Sequence, residues 1–160
     1  MVTEAAVWAA LTDVKDPEIP PVSVVDMGMV SRVVVDGDQV NIDMTPTFVG
    51  CPALEIIRRD VAARVAVEPG VGGVAVRFVF DPPWTSERIT PQGRERLKTF
   101  GIAPPMPESA GGLINLAEVP PCPFCSSHDT HMENLFGPTA CRAIYYCDAC
   151  RQPFEAMKTV

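Results

Sequence analysis

Two pairs of cysteines carry the clearest chemistry in this sequence. Cys122-Pro123-Phe124-Cys125 and Cys147-Asp148-Ala149-Cys150 are C-x2-C pairs, separated by the run from Ser126 to Tyr146. Each such turn aims two sulfurs at one point, and two of them complete a tetrahedral all-sulfur site suited to Zn²⁺. Strand-like runs at 130–136 and 140–146 flank Gly137-Pro138, so the spacing predicts a hairpin joining two metal knuckles, a zinc ribbon. A four-thiolate site also suits iron. The glycine common after the second cysteine of such knuckles is replaced by Ser126 and Arg151, which weighs against iron but leaves both metals open. Cys141 has no place in a four-coordinate site. It reads as an alternative ligand, a thiol near the site, or a buried strand residue. His128 and His131, the only histidines, are not needed where four thiolates suffice.

A sixth cysteine stands apart. Residues 44–65, MTPTFVGCPALEIIRRDVAARV, read as a strand end, a short turn, and a helix whose first residues are Cys51 and Pro52. Proline is favoured at the first helical position, where its missing N–H would be unpaired anyway. Leu54, Ile57, Val61 and Val65 recur at spacings of three and four and predict one buried stripe. Cys51 would then sit where unpaired N–H groups and the helix dipole converge. Both favour the thiolate, the form that attacks electrophiles or binds metal. The position equally suits a small buried hydrophobe beside a core helix.

The elements that must position these thiols can be read in order. Thr3 is a plausible cap for a first helix to about Lys15, with Val7, Leu11 and Val14 on one side. Asp16-Pro17-Glu18-Ile19-Pro20-Pro21 ends it. Two strands, at 31–36 and 39–45, flank the turn signal Asp36-Gly37-Asp38, and Val40, Ile42 and Met44 mark a buried face. A further strand is expected at 74–80, with Val74, Val76, Phe78 and Phe80 on one face. A last helix opens at Thr90-Pro91 and is capped by Gly101. The expected fold class is α/β of the α+β type, a small sheet with helices packed on it, plus the C-terminal zinc-ribbon module. The expected divisions are an α/β domain at 1–101, a Pro/Gly-rich linker at 102–119 without regular elements, and the ribbon at 120–160. A short apolar docking segment at 113–116 is expected within the linker.

Composition narrows the function classes. The chain has 160 residues, 47% hydrophobic and 21% charged, with a formal net charge of −7. The ribbon carries Arg142, Arg151 and Lys158 against Asp129, Glu133, Asp148 and Glu155, so neither part offers the basic footprint of a nucleic-acid binder. No run approaches a membrane span and the start lacks a signal-peptide pattern, so a cytoplasmic protein is expected. In a reducing compartment, clustered cysteines favour metal over disulfides. A thiol enzyme would need a base for Cys51. With no histidine in the first domain, the candidates are Asp16, Glu18, Asp26 and Asp43, each equally at home in a turn or on a strand surface. An accessory factor that handles metal through Cys51 and docks through the ribbon suits these residues better.

Asp16-Pro17-Glu18-Ile19-Pro20, Val24-Val25-Asp26-Met27-Gly28-Met29-Val30 and Thr45-Pro46-Thr47 leading into Cys51-Pro52-Ala53 resemble the iron–sulfur assembly domain of SufT-like proteins. Residues 84–86, 93–97 and 101–105, with the C-terminal CPFC and TACRAIYYCDAC, extend the likeness to the D-subunit family of phenylacetyl-CoA epoxidases, PaaD or PaaJ. The resemblance implies an accessory role in aerobic phenylacetate catabolism. Its partners would be the oxygenase components, a di-iron catalytic subunit or an iron–sulfur flavin reductase. Carried onto this chain, it implies Cys51 as the assembly cysteine and Asp16, Glu18 and Asp26 as its acidic positions. It further implies Cys122, Cys125, Cys147 and Cys150 as ligands of structural zinc, Cys141 as the cysteine of the T-A-C segment, and transient iron or iron–sulfur binding at Cys51.

Overall fold

A computed structural model describes residues 1–107 and 118–160. Two compact units emerge: Met1–Trp84 with Arg88–Gly93, and Thr85–Glu87 with Arg94–Val160. Among the described residues no helix is long and apolar enough to cross a membrane.

The first unit begins with helix α1 (Glu4–Leu11), where the Thr3 hydroxyl accepts the Ala6 N–H at 3.2 Å. The helix is shorter than its apolar pattern suggests. Residues 15–23 instead fold into a hairpin of β1 (Lys15–Asp16) and β2 (Ile19–Ser23). The cause is local: an Asp16 carboxylate oxygen accepts the N–H groups of Glu18 (2.8 Å) and Ile19 (3.3 Å), a side-chain turn that competes with helix. Strands β3 (Val30–Asp36) and β4 (Gln39–Met44) pair antiparallel across Gly37, whose φ of 64° suits the tight turn. Val40, Ile42 and Met44 are buried as the alternation requires.

Helix α2 (Leu54–Ala66) then carries the chain to β5 (Gly73–Phe78), which lies parallel to β4. A parallel neighbour needs such a crossover. Ile57, Val61 and Val65 form the buried stripe. Strand β5 ends at Phe78, before the expected boundary, and Phe80 is exposed rather than in the sheet face.

Gly28 has a demanding position. Its φ is 65°, and a Cβ there would lie 2.2 Å from the Arg88 carbonyl oxygen. Gly28→Ala is therefore expected to destabilise this unit by roughly 2–4 kcal/mol, from left-handed strain plus a backbone clash, seen as a lowered denaturation midpoint of the full chain.

The second unit takes most of helix α3 (Pro91–Phe100), which Gly101 ends with φ 95°. It also contains a four-stranded sheet in the order β6-β9-β8-β7: β6 (Ile102–Ala103), β7 (Thr130–Asn134), β8 (Arg142–Cys147) and β9 (Gln152–Met157). The hairpin of β7 and β8 answers to the two expected strands. Two further elements go beyond the sequence expectation. Strand β6 falls in the stretch read as linker, and it exists because Ile102 and Ala103 pair in parallel with Glu155 and Ala156, a long-range contact that local composition does not encode. Strand β9 follows the last knuckle immediately and pairs with β8. The 113–116 docking segment lies outside the described residues. Ala103, Cys122, Cys147, Phe154 and Ala156 form this unit's buried core, with Tyr145 stacked on Phe154 at 5.7 Å.

Candidate metal centre and the Cys51 turn

The two knuckles bring their four sulfurs together. The Cys122, Cys125, Cys147 and Cys150 Sγ atoms all lie within 4.8 Å of one another. Cys122 and Cys150 are 3.7 Å apart, and Cys125 and Cys147 3.6 Å. Four sulfurs at a Zn–S distance of about 2.3 Å would stand about 3.8 Å apart on a tetrahedron, so the set fits a structural Zn²⁺ site. No cysteine is disulfide-bonded. Two of the four are fully buried in the core of the unit, so metal ligation and packing share the same residues.

The backbone that aims these sulfurs is strained at two points. Ser126 and Arg151 follow the second cysteine of their knuckles and adopt left-handed backbone, φ 62° and 58°. This is the conformation for which glycine is usual, so the missing glycines leave the turn geometry unchanged. The Ser126 N–H donates to the Cys122 carbonyl at 2.9 Å, closing the first knuckle. Arg151→Gly should relieve roughly 1 kcal/mol of this strain, raising the unfolding midpoint of the zinc-loaded chain.

The thiols are electrostatically unequal. The backbone N–H of Cys150, then the neighbouring thiols and the Ala149 N–H, lower the Cys147 thiol to about 7. Burial pushes Cys150 up to about 12. Zinc binding must displace protons from such a set, so it is favoured by rising pH.

Cys141 is not brought into the sulfur cluster; its Sγ lies 3.2 Å from the Thr139 hydroxyl. Nor is either histidine. His131 is held between Asp148 (2.8 Å) and Glu133 (2.9 Å), which raise its pKa in that order of effect. A raised pKa means that this contribution to ribbon stability is complete below the unfolded value of about 6.5 and is lost as pH rises through the folded one. The His131 imidazole resonances should titrate above about 6.5, and Asp148→Asn should move that midpoint down.

Cys51 corrects the sequence reading in one respect. It does not open the helix. Helix α2 begins at Leu54 with Ala53 as its cap residue, and the Ile57 N–H donates to the Ala53 carbonyl at 2.9 Å to close the first turn. The residue before a proline is pushed out of helical geometry, which keeps Cys51 outside. Instead Cys51 closes a preceding turn: its carbonyl accepts the Leu54 N–H at 3.2 Å. The thiol is half-buried, three residues ahead of α2, where the dipole's influence is falling off. The strand side of the loop is anchored by Thr45, whose N–H donates to the Met29 carbonyl at 2.7 Å and whose hydroxyl meets that of Ser31 at 2.5 Å.

The acidic candidates have structural partners. Asp26 is buried; its carboxylate accepts the Ser23 N–H at 3.0 Å and faces the Thr90 hydroxyl at 3.5 Å, while its N–H donates to the Ser23 hydroxyl. Asp16 makes the β1–β2 turn and Glu18 lies half-buried within it. Asp43 is paired with Arg77, which lowers its pKa. Among the described residues the four ribbon cysteines form the one cluster of three or more metal-ligating groups; Cys51 with Asp16, Glu18 and Asp26 does not form another. Sequence reasoning missed Thr90 as an anchor of Asp26, although Thr90-Pro91 is legible as a helix start.

A small α/β unit followed by a four-thiol, metal-binding ribbon is the class of protein these features define. Residues 4–76 match the iron–sulfur cluster assembly protein family, and residues 107–158 match the PaaD zinc beta ribbon domain. The chain is 40% identical over 157 residues, 96% of its own length and 92% of the relative's, to the D subunit of a 1,2-phenylacetyl-CoA epoxidase from Escherichia coli K12. It belongs to that D-subunit family. It is also 38% identical over 89 residues to an Fe-S protein maturation auxiliary factor of Porphyromonas gingivalis, covering 55% of this chain and 84% of that one. A crystal structure of a domain of unknown function from Bacillus anthracis superposes with a TM-score of 0.56 at 34% identity, covering 59% of this chain and 90% of that one.

Proposed function

We propose that this protein is an accessory factor of a phenylacetyl-CoA ring-epoxidising oxygenase that helps mature an iron or iron–sulfur centre in a partner protein. The observation that carries this reading is the likeness, along nearly the whole chain, to an epoxidase D-subunit protein, overlaid on an N-terminal match to Fe-S maturation factors. On this reading residues 1–101 handle the cargo and residues 120–160 are a zinc-held docking ribbon in the cytoplasm.

Cys51 would be the ligand for incoming iron or cluster, and the Asp16, Glu18 and Asp26 positions would shape the loops around it. One thiolate holds a metal weakly, which suits brief ligation completed by groups of the client. The client would be the di-iron catalytic subunit or the iron–sulfur flavin reductase.

The test is the iron content of both components, purified from cells carrying this protein intact, deleted, or as Cys51→Ser. Iron should fall in one component for both altered strains, and that component is the client. Full iron in both components together with failed epoxidation would show instead a binding protein acting inside the working complex.

A further inference from the structure

Cys51 hangs between two fixed points. On the helix side Ala53 is buried. On the strand side the last buried residues are Thr45 and Pro46, and the chain then passes through half-buried Thr47 and Phe48 to exposed Val49 and Gly50. Thr45 is where the core lets go of the loop. Its N–H donates to the Met29 carbonyl at 2.7 Å, and its hydroxyl lies 2.5 Å from that of Ser31. Ser31 reaches it from a bulge: the register of β3 against β4 shifts between Val30 and Arg32, and Ser31 is the bulged residue. A bulge re-aims the side chain it carries.

Arg88 stands behind Ser31. One guanidinium nitrogen, Nη2, donates to the Ser31 hydroxyl oxygen at 3.1 Å and to the Val30 carbonyl at 3.4 Å. A guanidinium can only donate, so Ser31 accepts from it, and the positive charge makes the Ser31 O–H a stronger donor. The Ser31–Thr45 contact is then directed toward Thr45, in a chain of two hydrogen bonds that starts on a cation. Arg88 is itself seated by its neighbours. Trp84 Nε1 donates to the Met27 carbonyl at 2.8 Å, the Thr90 N–H donates to the Asp26 carbonyl at 2.9 Å, and Gly28 leaves the Arg88 carbonyl the space a Cβ would take.

We propose that Arg88 is a positioning residue for Cys51, acting through the Ser31 and Thr45 hydroxyls to fix the strand end from which the Cys51 turn is hung. The β3–β4 ladder is already continuous from Arg32 to Asp36, so the hairpin closes without this relay. What the relay adds is a fixed side chain and backbone at Thr45, the launch point of the loop. Without it the loop opens more often, and the half-buried thiol is held less closely for its cargo. The proposal rests on the maturation reading for what Cys51 does, and on the hydrogen bonds alone for how it is held.

The experiment measures the rate at which iodoacetamide labels Cys51 in the zinc-loaded full chain, followed on the Cys51 peptide by mass spectrometry. Arg88→Gln should accelerate labelling by roughly tenfold, the factor that one charge-assisted hydrogen bond is worth. Thr45→Val should do the same, and the two together should add little, because they break one chain. A single nitrogen makes both Arg88 contacts, so Arg88→Lys should restore much of the slow rate. Leu11→Ala, a truncation elsewhere in the unit's core, should lower the denaturation midpoint without changing that rate. An unaltered rate in Arg88→Gln would overturn the proposal. So would an acceleration that Leu11→Ala matches, since that would be general loosening. Client iron tests the maturation reading separately: if Cys51→Ser leaves it full, that reading fails, while faster labelling in Arg88→Gln with rescue by lysine would still show Arg88 holding the turn.

Discussion

Cys147→Ser is expected to abolish stoichiometric zinc binding and to unfold the second unit. Cys147 is fully buried in that unit's core and also supplies one corner of the sulfur tetrahedron. Residues 118–160 build little core of their own around it, and in so small a module metal binding is folding free energy, on the order of 10 kcal/mol at neutral pH. Loss of one thiolate from four removes most of that stabilisation. Strand β8 ends at Cys147 and β9 starts at Gln152, so the sheet frays on both sides of the broken knuckle. The variant should lose zinc by atomic absorption, and limited proteolysis should cut first after Tyr145, Tyr146 or Arg151. Chelation of zinc from the unaltered chain should reproduce the pattern. A variant that retains both its zinc and its protease resistance would show that the ribbon folds without this ligand.

Cys51→Ser is expected to have the opposite profile, with little change in stability and loss of the maturation role. Cys51 is half-buried in the turn before α2, and its backbone makes two of the hydrogen bonds of this turn, from Cys51 N–H to the Phe48 carbonyl and from Leu54 N–H to the Cys51 carbonyl. Serine preserves them at nearly the same volume, so the unfolding midpoint should shift by less than about 1 kcal/mol. Serine is a poor ligand for iron compared with a thiolate. Client iron should therefore fall to the level of the deletion strain while the purified variant keeps its zinc and its circular dichroism spectrum. A stable, fully active Cys51→Ser protein would leave the thiol as a packing residue.

The contrast between these cysteines follows from where the chain stores its information. The ribbon is legible because C-x2-C spacing is a local property: two residues between two sulfurs dictate a turn, and two turns dictate a tetrahedron. Even with Ser126 and Arg151 where glycine is usual that geometry stays intact, both residues taking the left-handed backbone at a cost of roughly 1 kcal/mol each. The α2 stripe, the β3–β4 hairpin and the caps at Thr3 and Gly101 are legible for the same reason, as each depends on periodicity or on a cap residue.

Sequence alone thus determined the α-plus-β class, the four-sulfur set and the existence of an isolated cysteine close to a helix start. Tertiary structure decided the rest. It moved the start of α2 from Cys51 to Leu54, where the proline's constraint on its predecessor overrides its welcome in a first helical turn. It gave β6 a partner in β9, more than fifty residues away in sequence, from a stretch whose prolines read as linker. It also brought the Thr90 hydroxyl to the Asp26 carboxylate from far along the chain, a pairing invisible to any local pattern. Spacing can specify which side chains share a turn. Which distant backbone or carboxylate they meet is set only when the chain closes on itself.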